Sequence, residues 1–283
     1  MQPFKIDFHV HITALEISNN WQAYAEKDEH FRLLSSSPHN KFVTAEEVIE
    51  ELDKNGIDKA VVFGFAFQDQ SLCRESNNYV LDAVKKFPDR LIGFACISPL
   101  RNGMERELER CFEAGMLGVG ELFPDGQGFK IDNQKDVFKL SALCQEKNMP
   151  ILMHVNEPLG HYYPGKTETS LKEAYAFAEN NPKLKIIYAH FGGGLCFYEL
   201  MTEVRKTLSN VYYDTAAGPF LYGTDIYKAI ASAGLVHKFI FGSDYPLLPI
   251  RRYLEQLDSL QLKQEDLEAI LGGNAMAVFK PEI

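Results

Sequence analysis

The 283-residue sequence lacks any long hydrophobic run, and no apolar stretch approaches the roughly 20 residues that a membrane-spanning helix needs. At its N-terminus no basic segment is followed by an apolar one, so a secretory signal is not expected. Lysine- and arginine-rich blocks are also missing, and the net charge is −10. Because proteins that bind nucleic acids usually carry a basic surface, we predict a cytoplasmic protein with neither a membrane nor a nucleic-acid partner.

Cysteine pairs of the C-x-x-C type are missing as well. The cysteines are scattered along the chain, at Cys73, Cys96, Cys111, Cys144 and Cys196. An odd number of dispersed cysteines indicates reduced thiols rather than a disulfide framework or a zinc site built from cysteine. What the sequence does contain is 46% hydrophobic and 24% charged residues, which is typical of a globular protein with a large core.

Strand-like runs recur along the chain with helical patterns between them. They are rich in Val, Ile, Phe and Tyr, as expected for strands that are buried on both faces. The runs are KIDFHVHI, KAVVFGFA, RLIGFACIS, LGVGELF, PILMHV, LKIIYAHF, NVYYDTAA and HKFIFGSDYP. Strands that alternate with helices indicate parallel βαβ units, and this number of units predicts an α/β fold of the (β/α)8 TIM-barrel type. A doubly wound open sheet is the competing architecture, but no glycine-rich dinucleotide-binding turn follows the first strand.

We predict a single domain over residues 1–283. Thr44 and Glu47 form a capping-box pattern at the start of one helix, and Gly56 is placed to end it. Thr169 is placed to begin another helix. The one long irregular stretch is about residues 13–43, after the first strand, and it forms either a wall of the barrel mouth or a packed excursion beside it.

Side chains that bind metals gather at the C-terminal ends of the predicted strands. In a barrel these ends converge on one face, where the active sites of this fold lie. A buried imidazole or carboxylate without a partner is costly, and a shared cation is the simplest common partner. We therefore predict a metal site on this face, formed by His9, His11, Glu121, His154, His190 and Asp244.

The first strand, FKIDFHVHI, illustrates the pattern. Asp7, His9 and His11 occupy alternate positions and are therefore expected to share one face. Asp7 lies deeper than the two histidines. It either orients a ligand histidine or forms structural hydrogen bonds in the barrel floor.

The loop after the fifth strand, NEPLGHYYPGKTETS, is expected to face the same mouth. Its candidates for substrate contact are Glu157, His161, Tyr163 and Lys166. Asp214, at the end of the seventh strand, and Arg101, after the third, are weaker candidates. Arg101 is of interest because a guanidinium group binds a carboxylate in bidentate fashion.

Taken together, these motifs resemble the amidohydrolase superfamily of metal-dependent barrel enzymes, specifically its amidohydrolase-2 branch. The matching segments are DFHVHI, LMHV, YAHFGGG, FGSDYP and the closing ILGGNAMAVF, from residue 4 to about 279. The resemblance implies that the first metal is bound by His9, His11, His154 and Asp244. His190 is then either a ligand of a second metal or a free acid/base, and Glu121 stands where many two-metal members carry a modified lysine. We expect one or two divalent ions, with zinc as the expected metal.

The resemblance implies a metal-dependent hydrolase of a small-molecule ester, lactone, amide or related bond. Metal-activated water would attack the substrate, and Asp244 would act as the general base. The alternatives are a non-oxidative decarboxylase resembling aminocarboxymuconate-semialdehyde decarboxylase and a glutamate-bridged phosphoesterase. A small-molecule substrate is the expected partner, and a homodimer is compatible with the sequence. The substrate itself is not predicted, because specificity resides in the loops.

Overall fold

The computed structural model describes residues 3–37, 40–260 and 262–279. Within them, parallel strands pair side by side in chain order to form an eight-stranded sheet. The strands are β1 (Ile6–His11), β2 (Lys59–Phe63), β3 (Leu91–Ala95), β4 (Gly118–Leu122), β5 (Ile151–Met153), β6 (Ile186–Tyr188), β7 (Val211–Asp214) and β8 (Phe239–Ile240). The chain just after β8 pairs with β1, since Phe8 N–H donates to the Phe241 carbonyl at 2.8 Å and His11 N–H donates to the Tyr245 carbonyl at 2.9 Å. The predicted (β/α)8 barrel is confirmed.

Helices cover the outside of this barrel. They are α1 (Leu15–Asn19), α2 (Trp21–Ala25), α3 (Glu29–Ser35), α4 (Ala45–Asn55), α5 (Gln70–Lys86), α6 (Met104–Glu113), α7 (Pro124–Gln127), α8 (Gln134–Glu146), α9 (Leu171–Asn180), α10 (Thr202–Thr207), α11 (Gly218–Leu221), α12 (Asp225–Ser232), α13 (Ile250–Asp258), α14 (Gln264–Glu268) and α15 (Asn274–Phe279). Segments with 3₁₀ or π-helical hydrogen bonding lie at His190–Leu200, Val236–Lys238 and Ala269–Gly273. No helix in the described ranges is long and apolar enough to cross a bilayer.

Apolar side chains fill the barrel interior and leave the mouth to polar groups. Phe8 of β1 contacts Phe94 of β3 edge-on, with ring centroids 5.5 Å apart. Phe279 of α15 stacks on Phe8 at 5.4 Å, so the last described helix packs against the interior cluster. A second, larger cluster joins the outer faces of the strands to the surrounding helices. Together the two layers fix the strand ends that carry the candidate site.

The predicted helix ends are largely found in the structure. The side chain of Thr44 accepts from Glu47 N–H in a complete capping box, and Gly56 ends α4 in the left-handed conformation with φ 61°. The predicted start at Thr169 is one residue early. Ser170 caps α9 instead, because its side chain and that of Glu173 form the capping box there.

The segment predicted to be irregular, about residues 13–43, contains the short helices α1, α2 and α3. Residues 38 and 39 lie outside the described ranges. Phe31 of α3 packs against Phe65 and Phe67, which follow β2, with ring centroids 4.9 and 5.0 Å apart. Asp28 caps α3 by accepting Phe31 N–H at 2.8 Å, and it also accepts the N–H of Gln68 at 2.7 Å. These contacts attach the segment to the chain that leaves β2 at the barrel mouth.

Candidate metal centre

The predicted metal ligands all lie at or just beyond the C-terminal ends of the strands. Two belong to β1 and one to β4, and the others lie within four residues after the ends of β5, β6 and β8. Imidazole and carboxylate atoms of these side chains form two groups, within each of which the atoms lie no more than 4.8 Å apart. The first group is His9, His11 and Asp244, and the second is Glu121, His154 and His190.

Local backbone strain turns two of these side chains towards the centre. His190 and Asp244 both have φ 58°, in the left-handed region that residues other than glycine seldom adopt. Each strained residue is held by a hydrogen bond. His190 N–H donates to the carboxylate of Asp214 at 2.8 Å, and Asp244 N–H donates to the carbonyl of His9 at 2.9 Å. Strain of this kind is concentrated at functional sites.

Glu121 lies between the two groups and faces each with a different oxygen. Its Oε2 is 3.4 Å from His9 Nε2 and 3.6 Å from His11 Nε2. Its Oε1 is 3.0 Å from His154 Nδ1 and 3.4 Å from His190 Nε2. The buried carboxylate therefore joins all four imidazoles into one cluster.

The separations of the donor atoms fit a shared cation. Asp244 Oδ1 lies 3.3 Å from His11 Nε2 and 3.6 Å from His9 Nε2, and the two Nε2 atoms are 3.3 Å apart. Donors bound to one ion at about 2.1 Å lie roughly 3.0–3.4 Å from each other. The residues present therefore fit a divalent metal.

A buried carboxylate on β7 supports two of the histidines. Asp214, which is fully buried, accepts His9 Nδ1–H at 2.8 Å with one oxygen. Its other oxygen accepts the N–H groups of His190 and Ala216 at 2.8 and 3.0 Å. A carboxylate on the far nitrogen fixes the tautomer and orientation of a ligand histidine. Arg101, the other weaker candidate, is exposed and donates to a backbone carbonyl.

Asp7 takes the structural role of the two predicted for it. One carboxylate oxygen accepts the backbone N–H of His9 at 3.2 Å and that of Ser243 at 2.9 Å. The other oxygen has no hydrogen-bond partner within the described chain, and burial raises the pKa of Asp7 to about 7.

The pairing register of β1 with β2 shifts between Asp7 and Val10. The regular alternation predicted for this strand is therefore interrupted.

Aromatic rings pack along one side of the centre. Phe123 stacks on the His154 ring with centroids 3.7 Å apart, and it contacts His30 of α3 at 4.3 Å. Burial, with the nearby charge of His154, lowers the pKa of His30 to about 4, so this imidazole is neutral. Sequence reasoning missed His30 because it lies on a short helix and not at a strand end. The only available signal was the aromatic content of that segment.

Burial and charge act in opposite directions on the pKa values here. Burial alone would raise the pKa of Asp244, but hydrogen bonding and the charges of nearby histidines hold it at about 2. Burial would lower the pKa of His190, yet the hydrogen bond and charge of Glu121 raise it to about 9. The pKa of His9 is raised well above its ordinary range, since the charges of Glu121 and Asp214 outweigh burial. Protons on imidazoles therefore balance the carboxylates, and a cation can replace them.

The loop after β5 brings together three of the four predicted substrate contacts. Tyr163 donates its hydroxyl to Glu157 at 3.1 Å, and Lys166 Nζ lies 3.3 Å from the other Glu157 oxygen. The His161 side chain is exposed, and its backbone carbonyl accepts from Lys166 Nζ at 3.4 Å. Burial raises the pKa of Tyr163, and the charges of Glu157 and Asp244 raise it further. Contact of these residues with substrate stays a prediction.

The fold and this centre together define a metal-dependent barrel enzyme. The chain belongs to the amidohydrolase family, whose model matches residues 6–280. This confirms the family that the strand-end motifs indicated. The match extends over nearly the whole sequence.

Solved structures with the same fold carry a different activity from the one predicted. The 5-carboxyvanillate decarboxylase of Sphingomonas paucimobilis has a TM-score of 0.80 at 14% identity, covering 98% of this chain and 99% of that one. The enzyme of that activity from Novosphingobium aromaticivorans, complexed with manganese and a nitrobenzoic acid, has a TM-score of 0.80 at 18% identity, with 99% and 96% coverage. The 2,6-dihydroxybenzoate decarboxylase from Rhizobium has a TM-score of 0.73 at 19% identity and covers 99% of both chains.

These structures contradict the prediction of a hydrolase that uses Asp244 as a base for attacking water. All three are decarboxylases. The prediction failed because fold and ligand types are shared by hydrolytic and non-hydrolytic members, and the sequence motifs report only the ligands. A divalent metal site is supported, but zinc in particular is not.

Proposed function

We propose that the protein is a metal-dependent, non-oxidative decarboxylase of an aromatic carboxylate. The observation that carries the proposal is the structural match with decarboxylases over nearly the full length of both chains. The donor cluster at the barrel mouth supports it, because these histidines and carboxylates fit a divalent ion. The buried ring of Phe123 stacks on His154 and keeps water from that side of the cluster.

We propose a single ion, held by residues from several strands. We propose manganese, which one similar structure contains, with zinc as the comparison metal. The ligands would be His9, His11, Glu121, His154 and Asp244, the donors described above. When bound, the ion supplies a Lewis acid that holds and neutralises the oxygen atoms of the substrate.

His190 is the proposed proton donor. Its Nδ1–H donates to the carbonyl of Ala216 at 3.1 Å, which turns Nε2 towards the centre. The proton on Nε2 passes to the ring carbon that bears the carboxylate, and a C–H bond forms. The bond from that carbon to the carboxylate then breaks, its electron pair returns to the ring, and CO₂ leaves. Water restores the proton to His190.

Turnover of aromatic acids tests this assignment. Manganese-loaded protein is incubated with 2,6-dihydroxybenzoate and 5-carboxyvanillate in D₂O, and CO₂ release and deuterium at the vacated ring position are measured. We expect one deuterium per CO₂ released, and a loss of about 10²-fold or more in rate for His190→Asn. His237→Asn, an exposed residue just before β8, is the matched control and should keep full activity. Absence of CO₂ release from a panel of hydroxylated benzoates, with hydrolysis of an aryl ester instead, would overturn the proposal.

Metal content distinguishes the role of His190 as a proton donor from a role as a ligand. Elemental analysis of protein purified without chelator is expected to give one manganese or zinc per chain, and Glu121→Ala should bind that ion more weakly. Two ions per chain, falling to one in Glu121→Ala, would make His190 a ligand of the second ion. That result would remove it as the proton donor.

A further inference from the structure

The loop after β5 is closed by polar bonds at its base. The buried side chain of Asn156 accepts the backbone N–H of Thr167 at 2.8 Å and its hydroxyl at 2.9 Å. Gly193, in the turn that follows His190, packs directly on this base, because a Cβ there would lie 2.3 Å from the Asn156 carbonyl oxygen. The two ends of the loop are therefore fixed against the barrel.

Inside the loop, one lysine joins three separate points. Lys166 Nζ donates to the carbonyls of Leu159 and His161 and lies 3.3 Å from the Glu157 carboxylate. The Lys166 side chain is only 14% exposed. The loop tip is open to solvent, since Tyr162 is 73% exposed and Leu159 is 78% exposed. Lys166 thus connects three points of the loop through its ammonium group.

The residue before this lysine contacts the metal centre. The carbonyl of Gly165 accepts His154 Nε2–H at 3.0 Å. A carbonyl can only accept, so this bond places a proton of His154 on Nε2 and leaves Nδ1 facing the centre, where it lies 3.1 Å from His190 Nε2. The same nitrogen lies 3.0 Å from Glu121 Oε1. The closed loop therefore selects the tautomer in which His154 can bind a metal through Nδ1.

We propose that Lys166 is a positioning residue for the metal centre: it holds the loop 156–167 closed, so that Gly165 keeps His154 ready to bind a metal, and metal binding in turn keeps the loop closed. The coupling is reciprocal. The free energy by which loop closure strengthens metal binding equals the free energy by which bound metal favours the closed loop. This role is additional to the substrate contact predicted for Lys166. It depends on metal binding and not on decarboxylation.

Limited proteolysis of the wild-type protein tests the coupling without substrate. Chymotrypsin digestion is followed by mass spectrometry with Mn²⁺ alone or with chelator. We expect Mn²⁺ to slow cleavage after Tyr162 several-fold more than cleavage after Phe138, which is 64% exposed on α8. Unchanged cleavage after Tyr162 overturns the proposal. Equal protection at both sites also overturns it, because that result indicates general stabilisation.

Mn²⁺ titration of variants tests the role of the lysine. Lys166→Met is expected to bind Mn²⁺ about 10-fold more weakly, the lower end of the range for residues that orient a ligand, and to lose the protection at Tyr162. Lys166→Arg should restore much of both. Lys172→Met, at an exposed lysine on α9, should match the wild type. Wild-type affinity and protection in Lys166→Met would overturn the proposal, and if that variant fails to fold, the wild-type digestion decides. Because Mn²⁺ alone is the probe, failure here is distinguishable from absence of decarboxylase activity.

Discussion

At the scale of single residues, Asp214 is the residue outside the proposed ligand set that we expect to affect metal binding most. It contacts both His9 and the backbone of His190. Asp214→Asn keeps the size of the side chain but removes its charge, and its amide can present a donor where His9 needs an acceptor. We expect Mn²⁺ affinity to fall about 10- to 100-fold, as measured by titration. Asp225→Asn, an exposed position on α12, is the control, and equal affinity in the two variants would contradict this role.

The pKa of His9 predicts how metal binding depends on pH. Because its pKa is raised well above the ordinary value, His9 is protonated at neutral pH and must release a proton to bind a metal. Affinity for Mn²⁺ should therefore rise with pH, by up to about tenfold per pH unit for each proton released. Calorimetric titration in buffers of different ionisation enthalpy counts the protons. An affinity independent of pH between about 6 and 8 would show that metal binding releases no proton, which would contradict a protonated His9 at the site.

The sequence predicted the candidate ligands because each lies at a strand end, and the strand ends of a barrel meet. It did not predict that Asp214 orients His9, since the two residues are 205 positions apart and only the folded barrel brings them together. His30 was missed for a similar reason. Its contact with Phe123 depends on where α3 packs, and no local pattern encodes that position.

At the scale of elements, the turn after β6 is predicted to be sensitive to added side chains. Gly193 has φ 59°, and a Cβ there would lie 2.3 Å from the carbonyl oxygen of Asn156. Gly193→Ala should lower the free energy of unfolding by about 1–3 kcal/mol from crowding, with about 1–2 kcal/mol more from the left-handed backbone. Gly223→Ala is the control, because nothing lies within 4 Å of its Cβ position. Urea unfolding measures both, and equal stabilities would show that the close approach to Asn156 is easily relieved.

Strands and longer helices were predictable, but the short helices were not. The strands are apolar, β-branched runs bounded by polar residues, and α4 carries a capping box that the sequence displays directly. By contrast, α1 and α2 have 5 residues each and α3 has 7. Helices this short are not stable alone and form through tertiary packing. For α3 that packing includes the contact of Phe31 with Phe65 and Phe67, and buried side chains of α1 and α2 belong to the same apolar cluster.

At the scale of the whole molecule, the fold was predictable and the reaction was not. Counting βαβ units is sufficient to indicate a barrel, because few other architectures use that many in one chain. The reaction depends on which proton-donating groups and which pocket side chains surround the metal. Many different reactions use the same kind of metal site. The ligands alone favoured hydrolysis, and only similarity to decarboxylases corrected that prediction.

The metal should also stabilise the molecule as a whole. Its proposed ligands come from β1 and β4 and from the ends of β5 and β8, so an ion bound to them joins distant parts of the chain and is lost on unfolding. An ion that binds only the folded state stabilises it by about 2.7 kcal/mol at a free concentration of 100 times Kd. The free energies of unfolding measured in urea with Mn²⁺ and with chelator should differ by this amount, which appears as a higher midpoint with little change in slope. Mg²⁺, which prefers oxygen ligands and keeps its water, should stabilise much less. If Mn²⁺ binds in titrations yet leaves the unfolding midpoint unchanged, it binds the folded and unfolded chains alike, and the cluster described here is not its site.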